Sequence, residues 1–259
     1  MILNRFGNKR LLAPIISSYF PQHTTYIEPF FGAGGMFFYK KPRAKFNILN
    51  DIDDDVMNLF MVAKNYPDQL RHAVQMIPAH QSLLTYWQKQ QETSPIWKAV
   101  RFLMISNFPF RGRGGSLRMG ASDTKASLLK KYSVMLDILN SVGIQFDCND
   151  YKAFLKSFAM DENQRKNSFI YADPPYINTR SNYDMKDFSW QKANTADVLD
   201  TLLSTGIRFA MSEYDNPDVK ELALERGLHY QQVKTRMGVA LSEATEVLVT
   251  NYLLNGTLF

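Results

Sequence analysis

The sequence predicts a doubly wound α/β fold carrying a mostly helical insertion, and three stretches predict it. Phe169-Ile170-Tyr171-Ala172 is a short aromatic and β-branched run that stops at Asp173-Pro174-Pro175-Tyr176. Such a run reads as a buried strand, and the prolines end it because they cannot extend a ladder. Earlier, Thr25-Tyr26-Ile27-Glu28-Pro29 runs into Phe30-Phe31-Gly32-Ala33-Gly34-Gly35, a short helix follows, and Phe46-Asn47-Ile48-Leu49 leads to Asn50-Asp51. This is the pattern of a βαβ unit at the start of a parallel sheet. Between these two stretches, residues 56–140 change to helical periodicity.

The remaining elements follow in chain order. Leu11 to Phe20 reads as a short helix begun or interrupted at Pro14. In the insertion, helical spacing covers Val56 to Asn65, Gln81 to Gln91, Ile96 to about Ile105, and Lys125 to Asn140. Ile144-Gln145-Phe146 is a strand, followed by a helix from Tyr151 to about Met160 and a polar loop from Asp161 to Asn167. Beyond the tetrad, Ile177 to Trp190 reads as a polar and aromatic loop over a site. Thr195 to Ser204 is a helix, Ile207 to Met211 a strand, and Pro217 to Arg226 a helix stopped by Gly227. The segment from His229 to Lys234, a polar turn and a strand from Glu246 to Leu254 close the chain.

Bulk composition excludes several function classes. Of 259 residues, 45% are hydrophobic, so a disordered chain is excluded. The one cysteine, Cys148, rules out an internal disulfide and fits a reducing, cytoplasmic setting. The four histidines have no metal-ligand spacing, so no metal is expected. No stretch has the roughly 20 apolar residues of a membrane span, so no membrane association is expected. The charge is uneven: residues 101–131 hold seven basic residues and one acid, a local +6 against +5 for the whole chain. That segment is a solvated loop or a polyanion-binding face. Within it, Arg111, Arg113 and Arg118 are interleaved with phenylalanine and glycine, a combination suited to phosphates, guanine edges and stacked bases.

Two sites of chemistry stand out. The glycines after Glu28 permit a tight turn and close backbone approach to a ligand, and Asp51 lies 23 positions on. An acid about 20 residues after the first turn of a βαβ unit takes ribose hydroxyls in nucleotide-binding folds; the acids here also serve to cap the helix at Val56. Neither a GxGxxG fingerprint nor a GxxxxGK[ST] loop is present, which favours a cofactor without phosphates. The second site is the tetrad. An exocyclic amine on a base is a poor nucleophile because its lone pair is delocalised. Asp173 and the Pro174 carbonyl would accept its two hydrogens and return that density to nitrogen, while Tyr176 stacks on the base. The base must then leave the duplex. Asp-Pro-Pro also begins ordinary turns.

Taken together, Phe6-Gly7-Asn8-Lys9, Glu28-Pro29-Phe30-Phe31-Gly32-Ala33-Gly34, Asn50-Asp51 and Asp173-Pro174-Pro175-Tyr176 occur in the order that resembles the Dam-like DNA adenine-N6 methyltransferases. The resemblance implies an α/β, doubly wound Rossmann-like methyltransferase sheet with a mostly helical target-recognition insertion. Residues 1–55 and 141–259 would form the S-adenosylmethionine-dependent domain, and 56–140 the target-recognition domain. It implies that Lys9, with Phe6 nearby, binds the carboxylate of S-adenosylmethionine. Glu28, Phe30, Gly32 and Gly34 would shape the cofactor turn, and Asp51 would take the ribose. Asp150 and Tyr151 match the family's adenine-contacting positions more loosely. Asp173, Pro174, Pro175 and Tyr176 would be catalytic, with Asp173 also near the methionine amino group. Phe188 and Glu246 fall at positions resembling later motifs.

The implied partner is double-stranded DNA, contacted through Arg111, Arg113, Arg118 and Lys125, with no obligate protein partner. The segment after Phe110 departs from the Pro-Phe-Gly-like pattern of the GATC-specific members, so GATC recognition is not implied. Cytosine-N4 methylation, a catalytically silent DNA-binding module, and a methyltransferase acting on RNA or protein glutamine are the competing expectations.

Overall fold

A computed structural model describes residues 2–3, 9–78, 80–108, 121–178, 189–237 and 243–254. Phe6, Arg111, Arg113, Arg118 and Phe188 lie outside the described residues.

Seven strands form one mixed sheet: β1 Thr25–Glu28, β2 Phe46–Asn50, β3 Gly143–Asp147, β4 Ser168–Ala172, β5 Arg208–Tyr214, β6 His229–Met237 and β7 Glu243–Thr250. Their order is β3-β2-β1-β4-β5-β7-β6. β1 to β5 pair in parallel, and β7 runs antiparallel between β5 and β6. The chain winds outward from β1 on one side and from β4 on the other. The crevice between the carboxyl ends of β1 and β4 is therefore the topological switch point, where open α/β sheets bind ligands. Glu28 and Asp173 mark its two sides.

Alternation along the strands covers both faces of this sheet. Tyr26, Phe169, Tyr171, Ala210 and Leu248 join one apolar cluster, while their neighbours Ile27, Ile170, Phe209, Met211 and Val249 join the other. Successive strand side chains point to opposite faces, so these near-continuous apolar runs are what a doubly covered parallel sheet requires. The second face is packed by α8 Tyr151–Lys156, α10 Lys192–Ser204 and α11 Pro217–Glu225. The first face receives α1 Ala13–Ser17, α2 Gly35–Tyr39 and the insertion.

The insertion comprises α3 Asp54–Asn65, α4 Pro67–Met76, α5 Gln81–Lys89, α6 Pro95–Asn107 and α7 Ala121–Ser141. It shares a core with the sheet: Phe31, Phe37 and Phe38 belong to the same buried cluster as Phe60, Val100 and Leu139. Phe31 meets Phe60 edge-on at 4.9 Å between ring centroids, which couples the glycine turn directly to α3.

Several local readings differ from the sequence expectation, among them the last strand, expected from Glu246 to Leu254 and formed over Glu243–Thr250. α4 is an extra helix, begun by Pro67 with Asp68 in its first turn. The expected loop from Asp161 to Asn167 contains α9 Glu162–Lys166, closed by a reciprocal capping box between Asp161 and Gln164. The helix from Tyr151 stops at Lys156 rather than near Met160.

Candidate active site

The cofactor side of the crevice is built from backbone. Gly32 and Gly34 adopt left-handed φ of +53° and +74°, which favours glycine. At Gly34 a Cβ would lie 2.6 Å from the Phe38 ring and 2.8 Å from Phe31, so the position is closed to any side chain. At Gly32 a Cβ would meet nothing within 4 Å, leaving open space over the turn for a ligand.

Asp51 holds that turn from β2. Its Oδ2 accepts from Gly32 N at 2.6 Å and its Oδ1 from Asp53 N at 2.9 Å. These two bonds orient the carboxylate at the turn. Asn50 beside it was quoted in the sequence only as part of a motif, yet it fastens three strand ends. Its Nδ2 donates to the carbonyls of Pro29 and Asn149, each at 3.0 Å, and its Oδ1 accepts from Asn149 N at 2.9 Å.

Two expected cofactor residues come together here. The rings of Phe30 and Tyr151 lie 5.2 Å apart at an angle of 36°. The Tyr151 hydroxyl donates to Asp197, which also pairs with Lys152 at 2.8 Å. Asp150 caps α8 by accepting from Lys152 N at 2.9 Å. Glu28 is buried and accepts the Tyr26 hydroxyl at 2.9 Å. Burial holds its carboxyl well above the usual carboxylate range, and the Tyr26 hydrogen bond only partly opposes this.

On the other side, Asp173 follows the last residue of fully buried β4. Its Oδ1 lies 2.8 Å from Lys9 Nζ and accepts the Tyr176 hydroxyl at 3.0 Å. The chain start and the tetrad, far apart in sequence, are thus in direct contact. The same ammonium and hydroxyl also reach Glu246 Oε1, at 3.4 Å and 2.5 Å. Lys9 Nζ sits 4.7 Å from the Tyr176 ring centroid, and Tyr214 meets that ring at 4.6 Å and 85°. Burial alone would lower the Lys9 pKa, but the charges of Asp173 and Glu246 outweigh it and raise it. Burial raises Glu246, with Lys9 opposing.

Glu213, at the carboxyl end of β5, was absent from the expected site. Its Oε2 accepts from Ile177 N at 3.2 Å and its Oε1 from Tyr214 N at 2.9 Å, so it fixes the exit of the tetrad turn. Burial pushes its carboxyl up to about 8, against the two backbone donors. Its sequence signal was an acid at a predicted strand end, the same signal that identified Asp51 and Asp173.

Lys125 belongs to α7. Its ammonium donates to the Ile77 carbonyl at 2.8 Å and to the Gln75 carbonyl, so it closes the carboxyl end of α4. Arg101, counted in the basic segment, is likewise internal. It is buried, with Nε donating to Trp87 O at 2.9 Å and Gln90 O at 2.7 Å, and Nη1 3.4 Å from Asp55 Oδ2.

A glycine turn at the switch point and an acidic tetrad across from it, on this sheet, define a Rossmann-like α/β fold with a ligand crevice. Residues 6–237 match the D12 class N6 adenine-specific DNA methyltransferases, and the chain belongs to that family. The family uses S-adenosylmethionine and acts on DNA. The chain is 24% identical over 270 residues to the Type II methyltransferase M1.LlaDCHI of Lactococcus lactis subsp. cremoris, covering 95% of this chain and 93% of the relative. It is 25% identical over 266 residues to a DNA adenine methylase of Salmonella typhi, covering 95% and 91%. Among solved structures, a magnesium protoporphyrin IX methyltransferase from Synechocystis PCC 6803 superposes with a TM-score of 0.42 at 7% identity, covering 95% of this chain and 80% of that one. No helix among the described residues is long and apolar enough to cross a membrane.

Proposed function

We propose that the protein methylates the N6 amine of an adenine flipped out of double-stranded DNA, with Asp173 as the acceptor that activates the amine. The observation that carries this reading is the position of Asp173 at the switch point, opposite the Gly32–Gly34 turn, with only Oδ1 engaged. Among the described residues, each contact to Asp173 falls on Oδ1, and Oδ2 would take an amine hydrogen. With the Pro174 carbonyl it would take both amine hydrogens, bring the nitrogen toward pyramidal geometry and restore its lone pair. Tyr176 would supply the aromatic wall against which the base stacks.

S-adenosylmethionine supplies an electrophilic methyl on a sulfonium, and the residues present fit it. The open space over Gly32 admits a ligand against the backbone. Asp51, oriented at the turn by Gly32 N and Asp53 N, would accept the ribose hydroxyls, and Phe30 and Tyr151 offer aromatic surface for adenine. Asp150 stands at the head of α8 beside them. Lys9 would take the carboxylate of the methionine part, and Phe6 and Glu28 complete that end. Transfer is then a direct displacement in which the protein positions two reactants.

Residues 56–140 are proposed as the target-recognition part, with Arg111, Arg113 and Arg118 contacting DNA. Lys125 is proposed to contact DNA with them, its ammonium held beside the end of α4 by the Gln75 and Ile77 carbonyls. Residues 1–55 and 141–259 are the proposed catalytic part. The protein is proposed to act in the cytoplasm without an obligate protein partner.

Expression in a methylation-deficient bacterium, with modified bases read by single-molecule sequencing, tests the reading. Modified adenine in one fixed motif, lost with Asp173→Ala, is expected. No modified base with the wild-type protein would overturn it.

A further inference from the structure

Four polar atoms close a ring beside the proposed acceptor. Lys9 Nζ contacts Asp173 Oδ1 at 2.8 Å and Glu246 Oε1 at 3.4 Å. Tyr176 Oη contacts the same two oxygens at 3.0 Å and 2.5 Å. Donors and acceptors alternate, and both acceptors are carboxylates. Glu246 comes from the centre of β7, opposite Tyr214 of β5 in the antiparallel pairing, and it is buried. Its neighbours Val247, Leu248 and Val249 are wholly buried in the sheet, so its position is fixed by strand pairing.

We infer that Glu246 is a positioning residue for methyl transfer: it competes with Asp173 for the Tyr176 proton and the Lys9 charge, and so leaves Asp173 able to accept the amine. This rests on the reading of Asp173 given above. A phenol has one proton, and its shorter contact is to Glu246. Without a charge at Glu246 the phenol turns its proton onto Asp173, and the attraction of Lys9 toward Glu246 is lost. Both donors then draw fully on the Asp173 carboxylate, whose other oxygen must accept an amine hydrogen. Glu246 therefore acts through Tyr176 and Lys9, without touching either substrate.

A double-mutant cycle on single-turnover methylation tests this, with wild type, Glu246→Gln, Tyr176→Phe, the double variant and Asp173→Ala. Losing a hydrogen bond to a charged group predicts that Glu246→Gln slows transfer about 10- to 100-fold. Cofactor and DNA affinities stay within about 3-fold, since neither ligand loses a contact. In the Tyr176→Phe background the Glu246→Gln effect shrinks by about 3-fold or more, because no phenol proton remains to be redirected. An equal slowing in both backgrounds, no slowing, or a loss confined to affinity overturns the inference. If Glu246→Gln does not fold, Glu246→Asp, which draws the carboxylate back from the ring, is put through the same cycle with the same criteria. An Asp173→Ala protein with undiminished transfer overturns the proposed acceptor itself, whereas an inactive Asp173→Ala with an uncoupled Glu246 overturns only the positioning role.

Discussion

Replacing Lys9 by methionine removes the cation that two inward carboxylates share. At an effective dielectric of about 20, the separations of 2.8 Å and 3.4 Å give gross attractions of about 6 and about 5 kcal/mol. Returning the ammonium to water offsets most of this, and breaking a buried pair from one side leaves a net cost of about 3 kcal/mol. At about 2–4 °C per kcal/mol for a chain of this size, the melting temperature falls by roughly 6–12 °C. The cost depends on pH. Glu246 is raised by burial, and Lys9 is the first influence opposing that rise, so its pKa climbs further in the variant. A raised carboxyl is least costly below its unfolded pKa and most costly above its folded one. Urea melts at pH 5.5 and pH 8 should therefore show a larger deficit for Lys9→Met at pH 8. A variant melting within about 1 °C of wild type at pH 8, or a deficit larger at pH 5.5, would refute the shared-cation account.

Further perturbations separate structure from ligand contact. His23 is held down to about 4 by burial, against its hydrogen bond to the Pro21 carbonyl. Its depressed pKa means its stability contribution is complete above pH 6.5 and lost as pH falls through about 4, roughly 3 kcal/mol before solvent screening and about half of that after it; His23→Gln should flatten the acid limb of urea stability over that window. Gly34→Ala, strained at φ +74° and forced against Phe38 and Phe31, should cost about 2–4 kcal/mol in melting experiments. Gly32→Ala meets open space, so calorimetry should show weakened cofactor binding with about 1–2 kcal/mol lost in stability. Arg113→Ala and Arg118→Ala should weaken DNA binding and lower its salt dependence by about one unit each, with cofactor affinity unchanged; Arg101→Ala should lower the melting temperature instead.

The sheet was legible because burial writes itself into sequence. Five parallel strands with both faces covered leave apolar runs such as Phe169 to Ala172, and the two prolines mark where the last of these ends. The glycine turn was legible because only glycine tolerates the backbone at 32 and 34. What stayed hidden depends on pairings distant in the chain. Glu246 reaches Tyr176 across 70 positions, and Glu213 reaches Ile177 across 36, because the sheet sets β5 beside β4 and β7 beside β5. Charge counting also hides local roles: Arg101, counted in the basic segment, is buried and donates to backbone carbonyls within the insertion, and Lys125 donates to the carbonyls that end α4. The missed helices had local signals, Pro67-Asp68 for one and the Asp161–Gln164 box for the other, too short to stand out against polar surroundings.

The central claim is that Asp173 activates the N6 amine of adenine. Its most direct test is mass spectrometry of nucleosides from DNA treated with the purified protein and S-adenosylmethionine, comparing wild type with an Asp173→Asn variant shown to be folded by its melting curve. The account predicts N6-methyladenine from wild type and none from the variant. N6-methyladenine at undiminished yield from Asp173→Asn, or methyl groups found on cytosine, would contradict it.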